Sequence, residues 1–153
     1  MIPPIIDPID VALLKSELNE KTFLRNTNRG NNEIYVVNNE TAPNVLKEIG
    51  RLREEAFRDS GGGSGLSIDI DEFDTMEVPY RQLVVWNPEN NDIIGGYRYL
   101  YGKDVRFDEN GEPKIATAHG MFKFSERFLK EVLPHTVELG RAFVALEYQS
   151  KQT

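Results

Sequence analysis

One stretch of this chain limits its fold more than any other. "TAPNVLKEIGRLREEAFRDSGGG", residues 41–63, is patterned for a single long helix. On a wheel of about 100° per residue, Val45, Leu46, Ile49, Leu52, Ala56 and Phe57 share one arc, with Lys47, Glu48, Arg51, Glu54, Glu55 and Arg58 outside it. Thr41 stands where a cap is expected, Pro43 falls in the first turn, and Gly61, Gly62 and Gly63 end the pattern. Around this helix lie four runs with strand character: "EIYVV" at 33–37, "YRQLVVW" at 80–86, "IIGGYRYL" at 93–100 and "VELGRAFV" at 137–144. The turn residues of "NPENND" join the second and third as an antiparallel pair. Shorter helices are predicted over 11–24 and over "SERFLKEVL", 125–133, with "NTNRGNN" a polar loop between the first of these and the first strand.

The chain of 153 residues suits one domain, read as 1–153 with an extension at 1–31. With no cysteine and only two histidines, His119 and His135, it has neither a disulfide framework nor a thiolate metal site, and no bound metal is expected. A formal charge of −7 disfavours a nucleic-acid surface, which needs clustered Lys and Arg. The opening "MIPPIIDPIDVALL" lacks a basic leader with a continuous apolar core, and no run of about 20 apolar residues follows, so a cytoplasmic protein is expected.

Three arginines break the patterns around them. Arg53 falls inside the apolar arc of the helix, between Ile49 and Leu46. A desolvated guanidinium costs several kcal/mol unless a carboxylate meets it, so a buried Arg53 demands an anion; the alternative is a stem along the core edge with its head in water. Alternation puts Arg98 on the face of Ile94 and Leu100, downstream of Gly95 and Gly96, a pair suited to a bulge or to close approach of a ligand. In the last strand Glu138 and Arg141 alternate to opposite faces, unless Gly140 carries a bulge that brings them together.

The anions are supplied by "IDIDEFD", 68–74. Asp69 and Asp71 share a face of an extended segment, and Asp74 joins them if the chain turns near Glu72 and Phe73. Counted with Glu138, these acids exceed the three arginines by one charge, which favours a small cationic or zwitterionic ligand. A solvated acidic loop is the simpler reading. A calcium loop fails at Asp74 and Tyr80, where its pattern needs glycine and glutamate.

Together "RLREEAF", "DIDEFD", "GGYR" and "ELGRAF", in this order over about 45–149, resemble the acyl-carrier-protein-dependent acyltransferases of the GNAT superfamily, which include the acyl-homoserine-lactone synthases. "FKFSERFLKEVLP" is similar to the segment before the last strand in a nearer branch, the haemolysin-like bacterial N-acyltransferases that make N-acyl amino acids for ornithine or glycine lipids. The first acid is aspartate here, where the synthases usually carry glutamate. The resemblance implies an α/β (α+β) fold, a twisted mixed sheet with flanking helices whose acyl pantetheine enters a gap where strand four splays from strand five. Four strands are counted, so the C-terminal, donor-binding part is expected to lie beyond this sequence.

The implied reaction is attack of an amino acid's amine on an acyl thioester. The co-substrate is acyl carrier protein or acyl-CoA loaded with a (3-hydroxy)fatty acid, with no permanently bound cofactor. Asp69 and Glu138 are candidates to take the ammonium proton, directly or through water. Backbone N–H groups near Arg141, Ala142 and Phe143 would meet the oxyanion. Arg98 or Arg141 would hold the acceptor's carboxylate, or else serve as ion-pair partners of the aspartates. Arg53, Phe57, Asp71, Asp74 and Phe124 complete the expected substrate-binding set.

Lys123, Arg127 and Lys130 form either a docking stripe for an acidic carrier protein or an ordinary solvated face. Phe124 and Phe128 line core or acyl chain, His119 is structural or a proton relay, and Trp86 is core. "RDSGGGSGLS" lacks the ending of a phosphate loop and reads as a flexible lid or linker. Peripheral membrane contact is an option. The competing functions are a non-catalytic GNAT-like module that binds a ligand or partner, and a lactone-signal synthase. The second is disfavoured because the first 30 residues hold Phe23 as their single aromatic.

Overall fold

A computed structural model describes residues 1–150; of the span read as one domain, 151–153 lie outside the described residues. Eight elements carry the architecture: α1 (Val11–Glu17), β1 (Phe23–Asn26), β2 (Glu33–Val37), α2 (Pro43–Asp59), α3 (Glu72–Thr75), β3 (Arg81–Asn87), β4 (Asp92–Tyr101) and β5 (Val137–Val144). The strands form one sheet in chain order, β1-β2-β3-β4-β5, with every neighbouring pair antiparallel. The expected mixed sheet is therefore antiparallel throughout the described residues, and it has five strands where four were counted. The added strand comes from the predicted 11–24 helix. That helix stops at Glu17 because Thr22 and Asn19 tie the chain into a turn, and Phe23, Arg25 and Asn26 then pair with β2, with Leu24 the extra residue.

Helix α2 packs its apolar stripe against one face of the sheet. Val45, Ile49 and Leu52 meet Val37, Val84 and Trp86 in the main core. A second core gathers Phe73, Tyr80, Leu100, Ile115 and Leu133, with Phe124 and Phe128 stacked at its edge, ring centroids 4.7 Å apart. The opposite sheet face stays half-exposed, with Tyr97, Tyr99 and Tyr101 along β4 and Leu139 at 63% exposure on β5.

The N-terminus of α2 departs from its predicted cap. Ala42 is the cap residue and has no side-chain oxygen to accept from the first turn; Thr41 instead accepts from the Asn38 N–H. The free amides of the first turn are met by Glu17 of α1, whose carboxylate accepts from the backbone N–H of Asn44 at 3.0 Å and of Val45 at 2.8 Å. Glu48 and Glu54, expected on the solvent side of α2, are buried. Glu48 meets the Ile9 N–H and Arg51. The predicted 125–133 helix forms as a wide turn at Phe128–Val132 followed by a 3-10 turn at Leu133–His135, where Pro134 has no N–H to continue a helix.

Two bulges shape the sheet beside β4. Pairing passes from Val85↔Gly95 to Trp86↔Ile93, so Ile94 is the extra residue and Ile93, not Ile94, takes the core position on the side of Arg98. Between Gly96↔Phe143 and Arg98↔Gly140, β5 carries one residue too many. A Cβ on Gly96 would stand 2.1 Å from the Leu83 carbonyl oxygen, and one on Gly95 2.5 Å from that of Phe143, so both positions require glycine.

Candidate active site

The acidic segment reaches the arginines by crossing α2 at Gly50. A side chain there would meet Ile68 and Ile70 at 2.7 Å, so only a bare helix position lets the strand-like chain lie flush. The Asp69 N–H donates to the Gly50 carbonyl at 3.0 Å, and Ile68 and Ile70 straddle the crossing. That placement accounts for the interleaving of apolar residues with acids in this run. The chain then turns into α3, where Asp71 caps the helix and Asp74 bonds back to the Asp71 N–H at 3.1 Å.

Three arginines and three aspartates converge at this point. Arg53 is fully buried; its Nη1 meets Asp74 Oδ2 at 3.1 Å and its Nη2 donates to Gln82 Oε1 at 2.6 Å. Arg98 grips Asp71 through two bonds, 2.6 and 2.9 Å, lies 3.2 Å from Asp74, and stacks its guanidinium over Tyr80 at 5.0 Å. Arg141 reaches Asp69 at 3.2 Å and Asp71 at 3.3 Å. The bulge predicted at Gly140 is present, with its strain one residue later: Arg141 has φ of 49°. This turns its side chain to the face of Arg98.

The charges are not equivalent. Burial raises the Asp69 carboxyl above the ordinary aspartate range, and the nearby charges of Arg141 and Arg53 only partly offset it. Burial also opposes ionisation of Asp71, but its bonds to Arg98 and the charges of Arg98 and Arg141 outweigh that and hold it low. Burial presses the Arg53 guanidinium downward against the pull of Asp74. The Nε atoms of Arg53 and Arg98 are buried without a partner among the described residues. Arg141, whose side chain is 36% exposed, is the cation through which the cluster meets solvent.

Glu138 stands apart. It accepts from Tyr80 Oη at 2.5 Å and from Thr117 Oγ1 at 2.6 Å, and forms no ion pair with the three arginines among the described residues. The expected surplus negative charge is absent as a result: three acids face three arginines. Burial and the Glu138 contact raise the Tyr80 phenol well above its ordinary range, keeping it a donor.

Beside Arg141 opens a cleft of about 640 Å³, lined by Phe57, the turn at 60–63, Arg141 and Ala142. That turn is no free lid. Ser64 and Gly65 bond to Glu54, and Gly62 N–H to the Phe57 carbonyl at 2.8 Å. A larger cleft of about 790 Å³ runs between α3 and residues 108–123, floored by Phe73 and Ile115; it holds none of the three arginines.

The remaining predicted residues lie elsewhere. Phe124 belongs to the second core. Lys123 precedes the wide turn, while Arg127 pairs with Glu131 at 2.9 Å and Lys130 with Glu126 at 2.7 Å, so the basic stripe is broken and largely neutralised. His119 is exposed, its Nδ1 3.6 Å from Glu72 and its ring edge-on to Phe73. Gln82, Tyr80, Thr117 and Gly50 were not singled out from sequence. Gln82 carried a usable signal, since alternation puts it on the face of Val84 and Trp86, as it put Arg98 among apolar neighbours.

The described residues thus form an antiparallel sheet with a bulged last strand, one long helix across its face and an arginine–carboxylate cluster at the bulge. The chain belongs to the family described as the acetyltransferase (GNAT) domain, whose model matches residues 52–153. It is 64% identical over 146 residues to a protein of Bacteroides thetaiotaomicron named glycine N(alpha)-acyltransferase, and 65% identical over 146 residues to a protein of that name from Phocaeicola vulgatus. Each match covers 95% of this chain but 43% and 44% of the relative, so the chain spans less than half the length of these curated relatives. No solved structure matches it.

Proposed function

We propose that this chain carries the acceptor-binding part of an N-acyltransferase that joins a fatty acyl group to the amine of glycine, the acceptor in the names of its relatives. The observation that carries the reading is the cluster at the β5 bulge, where Arg141 alone among three paired arginines keeps an exposed face toward a cleft.

In this reading Arg53, Arg98, Asp71 and Asp74 form the scaffold, paired with one another and buried except for the half-buried Asp71. Arg141 offers its outer N–H groups to the acceptor's carboxylate. Asp69 takes the ammonium proton, directly or through water: its carboxyl is poised upward by burial, nearer to operating pH than that of Asp71. The freed amine attacks the thioester carbonyl, the C–S bond breaks as the C–N bond forms, and the thiol leaves with a proton. Backbone N–H groups at the bulge face the developing oxyanion. Glu138, held by Tyr80 and Thr117, is the second candidate base.

The donor is acyl carrier protein or acyl-CoA, the product serves aminolipid synthesis, and the work is done in the cytoplasm or at a membrane periphery. No helix among the described residues is long and apolar enough to cross a membrane. The test is incubation of this chain, and of the full-length protein, with acyl carrier protein or coenzyme A carrying a 3-hydroxy fatty acyl group, together with a panel of amino acids, with amide read by mass spectrometry. N-acylglycine is expected from the full-length protein. Product from neither form would replace this reading with that of a non-catalytic binding module.

A further inference from the structure

We infer that Glu54 is a positioning residue for the acceptor cleft, holding the turn at 61–63 as a bare backbone wall opposite Arg141. This rests on the reading of that cleft as the acceptor subsite. Glu54 sits on the helix that supplies Arg53, yet takes no part in the arginine cluster. Its side chain is fully buried, where an unmet carboxylate would cost several kcal/mol. Five donors meet it: Arg58 Nε at 3.1 Å and Nη2 at 3.0 Å, Ser64 N–H at 2.9 Å and Oγ at 2.7 Å, and Gly65 N–H at 3.2 Å.

Of this turn only Gly63 lies close against other groups: a Cβ there would meet Glu54 Oε1 at 3.0 Å and the Arg58 backbone at 3.4 Å. A Cβ built on Gly61 or Gly65 would find nothing within 4 Å, and one on Gly62 only the Phe57 carbonyl at 3.5 Å. The turn winds through left-handed conformations at Gly61, Gly63 and Gly65, with φ of 90°, 97° and 75°, which leave a loose chain many alternatives. What fixes it is the carboxylate of Glu54 on its C-terminal side and the end of α2 on the other. Arg58 extends the tie by donating to the carbonyls of Pro3 and Leu66. One wall of the cleft is therefore polypeptide backbone set at a fixed distance from Arg141, and the width available to an amino-acid acceptor is set by Glu54.

Glu54→Ala, Glu54→Gln, Gly62→Ala and Gly62→Leu in the full-length protein test this, with KM and kcat for glycine and for alanine and a melting curve for each. Gly62 lines the cleft and lacks the left-handed φ of its neighbours, so a side chain can be added there without backbone strain. The expected result is a rise of about tenfold in the glycine KM for Glu54→Ala with a smaller change in kcat. Glu54→Gln keeps one acceptor oxygen, enough for Ser64 or for Gly65 and Arg58 but not for both sets of donors, so it should recover part of the loss. Gly62→Leu should raise KM for alanine more than for glycine, and Gly62→Ala should do less. A folded Glu54→Ala with unchanged KM overturns the inference; if that variant does not fold, an unchanged KM in Gly62→Leu overturns it. A wild-type enzyme that acylates no amino acid overturns the cleft's assignment and this inference with it, an outcome distinct from an active enzyme indifferent to these substitutions.

Discussion

Arg53 shows what a single misplaced residue can reveal. Its position in the apolar arc was readable from the wheel, and the demand for an anion followed from the cost of burying a guanidinium. Which anion would answer was not readable, because Asp74 arrives only after the chain has crossed α2 at Gly50. Both members of the Arg53–Asp74 pair are fully buried, so Arg53→Leu takes away one of the two cations that face Asp74 and leaves Arg98 as the other. We expect a loss of about 3 kcal/mol or more, seen as a melting temperature lower by roughly 10 °C. Asp69 makes the opposite prediction. Its carboxyl is raised in the fold, so the stability it adds is present at low pH and lost as pH rises through the folded value. Asp69→Asn should then leave neutral-pH stability unchanged or better, lower kcat by about a hundredfold or more, and remove the acidic limb of the pH–rate profile. If Glu138→Gln removes that limb instead, the base is Glu138. Glu138 itself was legible as a candidate but not its company, since Tyr80 and Thr117 come from segments whose approach no local pattern records.

At the scale of elements, the strands and α2 were legible because their periodicity is strong. The last strand was read to its boundaries, and the hairpin between β3 and β4 followed from its turn residues. β1 escaped because Phe23 and Leu24 continue the helical spacing of α1, and only the pairing of Phe23 with Tyr35 and of Arg25 with Ile34 makes the segment strand. Glu48 and Glu54 were misplaced for a related reason: their partners are backbone amides and hydroxyls of distant segments, which a wheel does not contain. The glycine pair of β4 was recognised, and its cause is now specific. Gly96→Ala would press a methyl group into the Leu83 carbonyl, so the β3–β4 register must shift or open. A loss of about 2 kcal/mol or more is expected, with amide hydrogen exchange accelerating first along these two strands.

The whole molecule depends on carboxylates that must stay ionised. Asp71 is held low by Arg98, and Glu54, despite its burial, is held low by Ser64 and Arg58. Because their folded values are depressed, the stability they add is present above the ordinary carboxylate range and is lost as pH falls through it toward those values. Thermal melts stepped downward from pH 6 should show a steep fall below about pH 4.5, shallower in Glu54→Gln. The wiring between α1 and α2 has a practical corollary. Asn44 and Val45 draw their acceptor from Glu17, 27 and 28 positions earlier. A chain shortened to begin at β2 would strip that carboxylate from the central helix, and minimal versions for display or crystallisation should start no later than Asp10.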